Sequence, residues 1–205
     1  MFYESKISNA FRLGDVIKGF ISVQPTIKNP IIGAMTEKDN YKIDINLPQF
    51  SVILSPCCSI GDSKITLTPL VRLKNTIFKN KFFIEDPTRI NREIEPQYTL
   101  PPEEFEKLPQ PEKDKILQSE KGYTLLEWFI YEQHDLFPQY ELRGIDTKYY
   151  MIDFRNIYKI NCSQIKTPEK VPIESKVLEL SIQARANLRE KLSYYYGRVP
   201  EEDLL

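Results

Sequence analysis

The side chains of this sequence best suited to chemistry are few and scattered. Two adjacent cysteines, Cys57 and Cys58, follow the apolar run "FSVILSP", and a third, Cys162, stands far downstream. A thiol becomes a nucleophile or metal ligand as its thiolate, which needs a nearby cation, imidazole or group of backbone N–H donors. The turn "SIGDSK" and Lys64 could supply that for Cys58, but no histidine stands near it in the sequence. A small side chain packed beside a turn is the plainer reading, since free cysteines are commonly buried. A disulfide between neighbours is strained, and three cysteines without framework spacing point to a reducing cytoplasm. The single histidine, His134 in "YEQHDLFP", could serve as a general base oriented by Glu132 or Asp135. A solvated loop histidine is the commoner case.

Two further groups could bind rather than react. Arg185, Arg189 and Arg198 lie along one basic–apolar stretch with Tyr195. They could grip phosphates while the tyrosine stacks on a base. Alternatively they solvate a helix whose tyrosines pack inward, and the overall charge favours this second use. There are 28 Lys+Arg against 29 Asp+Glu, a net charge of −1, so nucleic acid is a possible but not a favoured partner. The last residues, Glu201, Glu202, Asp203, Leu204 and Leu205, could anchor two leucines in a partner groove with the acids facing basic residues around it. The alternative is a plain solvated tail.

Several chemistries are excluded by pattern. The 7 glycines include no Gly-x-Gly pair, no serine is flanked as Gly-x-Ser-x-Gly, and one histidine cannot make a His-x-x-x-His site. Gly14 and Gly19 have phosphate-loop spacing, but Phe20 and Ile21 stand where that loop needs Lys and Ser or Thr. Adjacent cysteines are not the Cys-x-x-Cys of a zinc knuckle. No metal and no cofactor are expected. No apolar run approaches the roughly 18 residues of a membrane span, and "MFYESKISNAF" lacks a basic-then-apolar leader. A cytoplasmic chain without membrane contact is expected.

The elements that must position these groups are mostly strands. "DVIKGFISV" (15–23) reads as a strand that Pro25 closes, and "YKIDINL" (41–47) alternates, with Tyr41, Ile43, Ile45 and Leu47 on one face. "FSVILS" (50–55) is continuously apolar, as a central strand is, and Pro56 ends it. "ITLTPLVRL" (65–73) returns antiparallel to it. Residues 95–122 hold five of the 15 prolines among Glu and Lys, and read as two short helices, at "PEEFEKL" and "PEKDKILQ". "EWFIYE" (127–132) and "KYYMIDFRNIYKINC" (148–162) are strands again, the second kinking near Asp153. A final helix follows Ser181 as N-cap and stops at Gly197, with Leu188, Leu192, Tyr195 and Tyr196 as one apolar stripe.

The framework Arg12, Gly14, Asp15 and Val16, then Val52, Leu54 and Ser55, then Pro69 and Leu70 resembles the PemK/MazF-like toxin barrel over about a third of the chain. The resemblance implies a small SH3-like barrel. Specifically, the expected fold is mainly β, with a barrel core at 1–93 and 123–165. A helical insertion occupies 94–122, and a linker, helix and acidic tail fill 166–205. That family cleaves RNA with an arginine and a threonine at positions that here hold Gln49 and Val71. Gln49 has no fixed charge and Val71 no hydroxyl, so the resemblance implies a scaffold without that apparatus. "SPCCSI" and "RANLREKLSYYYGR" also look like diverged versions of motifs in uncharacterised bacterial proteins with a Ser-(Gln/His)-x-Cys-Asp-(Ile/Leu) signature. The function so implied is a non-catalytic interaction subunit of a multi-protein bacterial system, such as anti-phage defence or a mobile-element cassette. Its partner would be another protein of the same operon or complex. The rivals are an endoribonuclease toxin with relocated residues, drawn from Cys58, Arg72 and His134, and a cysteine-dependent hydrolase.

Overall fold

The structure is a computed structural model and describes residues 1–18, 22–27, 41–56, 64–75, 81–92, 100, 102–118, 126–161 and 175–197. The fold is mainly β, with a few helices. Its centre is a five-stranded antiparallel sheet built from β1 (Val16–Lys18), β4 (Phe50–Ile53), β5 (Lys64–Pro69), β11 (Tyr158–Asn161) and β12 (Lys176–Leu178), in the order β11-β5-β4-β1-β12. All four residues of β4 are buried. Val52 joins the larger apolar cluster on one face, with Val16 and Phe129, and Ile53 joins a second cluster on the other, with Ile17, Ile65 and Leu67. A strand covered on both faces needs a continuous apolar run rather than alternation, and "FSVI" supplies one.

Two expected strands each prove to be two. The run 65–73 leaves the central sheet at Pro69 and continues as β6 (Val71–Arg72) in a second sheet, β6-β10-β7, with β7 (Trp128–Tyr131) and β10 (Tyr150–Asp153). The expected kink at Asp153 is a full turn from β10 in that second sheet to β11 in the central one. The Asp153 carboxylate makes the turn by accepting Arg155 N–H at 3.1 Å, while Thr68 Oγ1 on β5 donates to Asn156 O at 2.9 Å. The expected strand 15–23 is described as β1 up to Lys18 and again from Ser22, and Pro25 does not close it. That proline sits inside β2 (Ser22–Ile27), paired with Ile43 of β3 (Tyr41–Asn46). A two-stranded ribbon leaves each strand a free edge, where a missing N–H is tolerated. A short hairpin, β8 (Tyr140–Leu142) with β9 (Ile145–Thr147), stands between the expected strands at 127–132 and 148–162, and Arg143 and Gly144 take its positive φ values. Among the described residues no sheet closes into a barrel.

Helix α1 (Lys81–Glu85) leads into a 3-10 turn (Pro87–Asn91), where Asn91 bonds Ile130 N and O at 2.6 Å as if it were a strand neighbour. Helices α2 (Pro102–Glu106) and α3 (Gln110–Gln118) fall where the proline- and charge-rich stretch predicts them. Helix α4 (Ile182–Gly197) starts at Ser181, whose Oγ accepts Ala184 N–H at 3.2 Å. Its buried face is Ala184, Leu188 and Lys191, with Leu192 and Tyr195 partly buried beside it; Tyr196 is 56% exposed. The stretch read as linker contributes β12, which pairs with β1.

An ionic knot joins the two ends of the described chain. The Lys176 side chain on β12 is fully buried, and its ammonium donates to Asp15 Oδ2, Glu179 Oε2 and Ala10 O, each at 2.7 Å. Arg12 N–H donates to Asp15 Oδ2 at 2.7 Å and Ser8 N–H to Glu179 Oε2 at 2.8 Å, while Asp15 Oδ1 is buried with no hydrogen-bond partner among the described residues. Burial pushes the Asp15 carboxyl up to about 6, against the Lys176 and Arg12 bonds. Burial also pushes Glu179 up, but the Lys176 and Ser8 bonds prevail and hold it down at about 2. Gly14 precedes this knot at φ +86°, and a Cβ there would lie 2.4 Å from Leu180 Cδ1. Both the backbone conformation and the close approach require glycine.

Replacing Lys176 with methionine leaves the buried Asp15 carboxylate without its cation and Glu179 with only Arg12 and Arg185. The variant is expected to lose about 3–5 kcal/mol in urea denaturation at neutral pH. The exposed control Lys64→Met is expected to change stability by less than about 0.5 kcal/mol.

Candidate interaction surfaces

The β2–β3 ribbon is amphipathic in a direction opposite to what a core strand needs. Along β3 and just past it, Tyr41, Ile43, Ile45 and Leu47 share one face and are 43%, 65%, 65% and 70% exposed. The register sets Ile27, Pro25 and Val23 across from Tyr41, Ile43 and Ile45. The polar residues of β3 hold the other face: Lys42 pairs with Asp44 at 2.7 Å, and Thr26 Oγ1 donates to Asp44 Oδ2 at 2.9 Å. Those two bonds, first Lys42 and then Thr26, hold the Asp44 carboxyl below its ordinary range. Among the described residues the two strands pair only with each other. The expected alternation is present, then, with its apolar side facing water.

A second surface lies where α4 begins. A cleft of about 520 Å³ is bounded by Arg12, Arg185 and Arg189 over Leu13, Pro56, Ile182 and Ala186. Arg185 is fixed from below, with one guanidinium nitrogen 3.3 Å from Glu179 Oε1 and 2.7 Å from Leu180 O. Arg12 reaches the same carboxylate oxygen at 3.5 Å and stays 42% exposed. Arg189 is exposed, and no carboxylate lies within ion-pair distance of it among the described residues. Arg185 and Arg189 are visible in the sequence one helical turn apart. Arg12 is not predictable as their neighbour, since β1 and the buried knot bring it there.

The other expected residues that the structure describes do not converge. Arg72 on β6 lies over the Tyr140 ring, 5.1 Å from its centroid. His134 accepts Leu136 N–H on Nδ1 at 3.1 Å and meets the edge of Tyr3. Asp135, one proposed orienting acid, is bridged to Lys148 at 3.0 Å instead, and no described bond joins Glu132 to the imidazole. Tyr195 packs on Phe154, away from the arginine cleft. Cys57, Cys58, Arg198 and the segment Glu201, Glu202, Asp203, Leu204 and Leu205 lie outside the described residues; Pro56, at the cleft rim, is the last described residue before the cysteines. Among the described residues no group of three His, Cys, Asp or Glu side chains could hold a metal ion, and no helix is long and apolar enough to cross a membrane.

No family model, curated protein or solved structure matches this chain.

Sequence reading also misses Lys191, which is 1% exposed on the inner face of α4 and donates to Ile90 O at the end of the 3-10 turn. Burial pulls its ammonium down to about 7, with Glu127 opposing. The unfolded chain keeps that proton to about pH 10. Between pH 7 and 10 the unfolded state therefore binds more protons, and stability rises with pH. Urea midpoints at pH 6.5 and 9 are expected to increase for the native chain relative to Lys191→Met, which lacks this titration. Equal pH slopes for the two proteins would show that Lys191 is ordinarily solvated.

Proposed function

We propose that this chain is a non-catalytic interaction subunit of a multi-protein bacterial assembly, carried on a degenerate PemK/MazF-like scaffold. The partner is another protein that covers the apolar face of the β2–β3 ribbon. The carrying observation is the row Ile43, Ile45 and Leu47, each about two-thirds exposed on a ribbon that, among the described residues, pairs with no larger sheet. A contiguous apolar strip on one face marks an interaction site more often than an accident of sequence. Covering each such side chain is worth about 1–2 kcal/mol, which suits a protein contact.

Support for the scaffold comes from where the resembling residues meet. Gly14 N–H donates to Ile53 O at 2.8 Å, Ile53 N–H to Asp15 O at 3.0 Å, and Ser55 Oγ accepts Thr66 N–H at 2.8 Å. These bonds tie the β1–β4–β5 core together. Gln49 and Val71 stand where the resembling family keeps its cleavage residues, and Arg72, beside Val71, faces Tyr140 rather than an acid or histidine.

The test is reconstitution with the partner recovered and identified from the native cell. Ile43→Lys with Ile45→Lys is expected to keep the native melting temperature and weaken that complex by at least about a hundredfold, since two buried charges replace two apolar anchors. Undiminished affinity would remove the ribbon from the interface. Incubation with long single-stranded RNA is expected to leave it intact; cleavage that disappears in Arg72→Ala would replace this reading with an endoribonuclease.

A further inference from the structure

We propose that the cleft at the start of α4, where Arg12, Arg185 and Arg189 surround an aliphatic floor, binds an acidic peptide segment of a partner protein through one leucine-like anchor. This is a second docking surface, independent of the ribbon.

Charge is the first argument. Around the cleft and the knot beneath it stand Arg12, Lys176, Arg185 and Arg189, against the carboxylates of Asp15 and Glu179. Two positive charges remain in excess, although the chain as a whole is at −1. Both carboxylates are buried, with side chains 0% and 3% exposed, and both are bonded to Lys176. A ligand entering from solvent therefore meets guanidinium groups and not carboxylate oxygens. Guanidinium forks suit carboxylates, and Arg185, already fixed by Glu179 and Leu180 O, gives up little freedom on binding.

The floor decides which anion fits. Leu13, Pro56, Ile182 and Ala186 are all aliphatic, and Ile182 is 77% exposed. Nucleic acid bound along a basic groove usually finds aromatic platforms for its bases. None lines this cleft among the described residues, and Tyr195 and Tyr196 are engaged with Phe154 instead. An aliphatic side chain seated on Ile182 with flanking Asp or Glu toward the three arginines satisfies both halves of the surface. A volume of about 520 Å³ accommodates one such anchor with its neighbours, within the range of ordinary ligand clefts.

The experiment measures fluorescence anisotropy of the labelled peptide LDELEDL on the full chain. Its charge-reversed counterpart LKKLKKL and a labelled oligouridylate are run beside it. Saturable binding of the acidic peptide is expected, weakening as salt rises, with no binding of the basic one. Arg189→Glu and Ile182→Asp each alter an exposed side chain, and each is expected to reduce affinity at least about tenfold while melting at the native temperature. Ile43→Lys with Ile45→Lys is expected to bind the acidic peptide unchanged, which keeps this proposal separable from the ribbon reading. Absence of peptide binding, or affinity indifferent to Arg189→Glu and Ile182→Asp, overturns it. Tighter, Arg189-dependent binding of the oligouridylate also overturns it, in favour of a nucleic-acid groove.

Discussion

A lysine taken out of water organises this molecule. Removing an ammonium from solvent is tolerable only where its donors are met and its charge is balanced. Lys176 meets that condition with Asp15 from the start of β1, Glu179 from the approach to α4, and a carbonyl of the N-terminal segment. Ala10 and Asp15 belong to the N-terminal stretch, and Glu179 stands three residues after Lys176 itself, so satisfying one ammonium fixes these two stretches relative to each other. Apolar contacts in the same place could hold them together but would not dictate one orientation. Surrounding bonds follow this geometry: Tyr131 donates to Gly14 O at 2.9 Å, and Tyr3 bridges to Leu180.

The knot also explains the arginines above it. Glu179 is an acceptor for Lys176 below and for Arg12 and Arg185 above, so a buried carboxylate carries structural order outward to a solvent-facing cleft. The basic surface is positioned by the interior, not by α4 alone. The ribbon is different in kind. Its polar face is tied together by its own side chains, Thr26, Lys42 and Asp44, while its apolar face is exposed.

How much of this could be read from the sequence depended on whether the signal was local. The buried run of β4 and the Ser181 start of α4 are local, and the structure agrees with both; Gly197, the expected stop, is the last described residue of the helix. The sheet changes at Pro69 and Asp153 are not visible in hydrophobic pattern, because a strand that turns into another sheet keeps its alternation. Alternation in "YKIDIN" correctly indicated a two-faced strand, but a pattern cannot say whether the apolar face meets the core or a partner. Lys176 and Lys191 look like ordinary surface lysines in sequence. Only partners distant along the chain, Asp15 for one and Ile90 for the other, make their burial intelligible. Likewise the candidate site was half legible: Arg185 and Arg189 share a helix, while Arg12 arrives from the opposite end of the chain.

That long-range closure has a consequence for synthesis. Ser8 and Glu179 are 171 residues apart yet share a hydrogen bond, and β12 is an edge strand of the central sheet. During translation β1 emerges long before β12, because most of the described elements lie between them in the chain. At roughly 5–20 residues per second, β1 waits for several seconds to half a minute with an unpaired edge. An open strand edge is a template for pairing with other chains, so shielding β1 over that interval would favour yield.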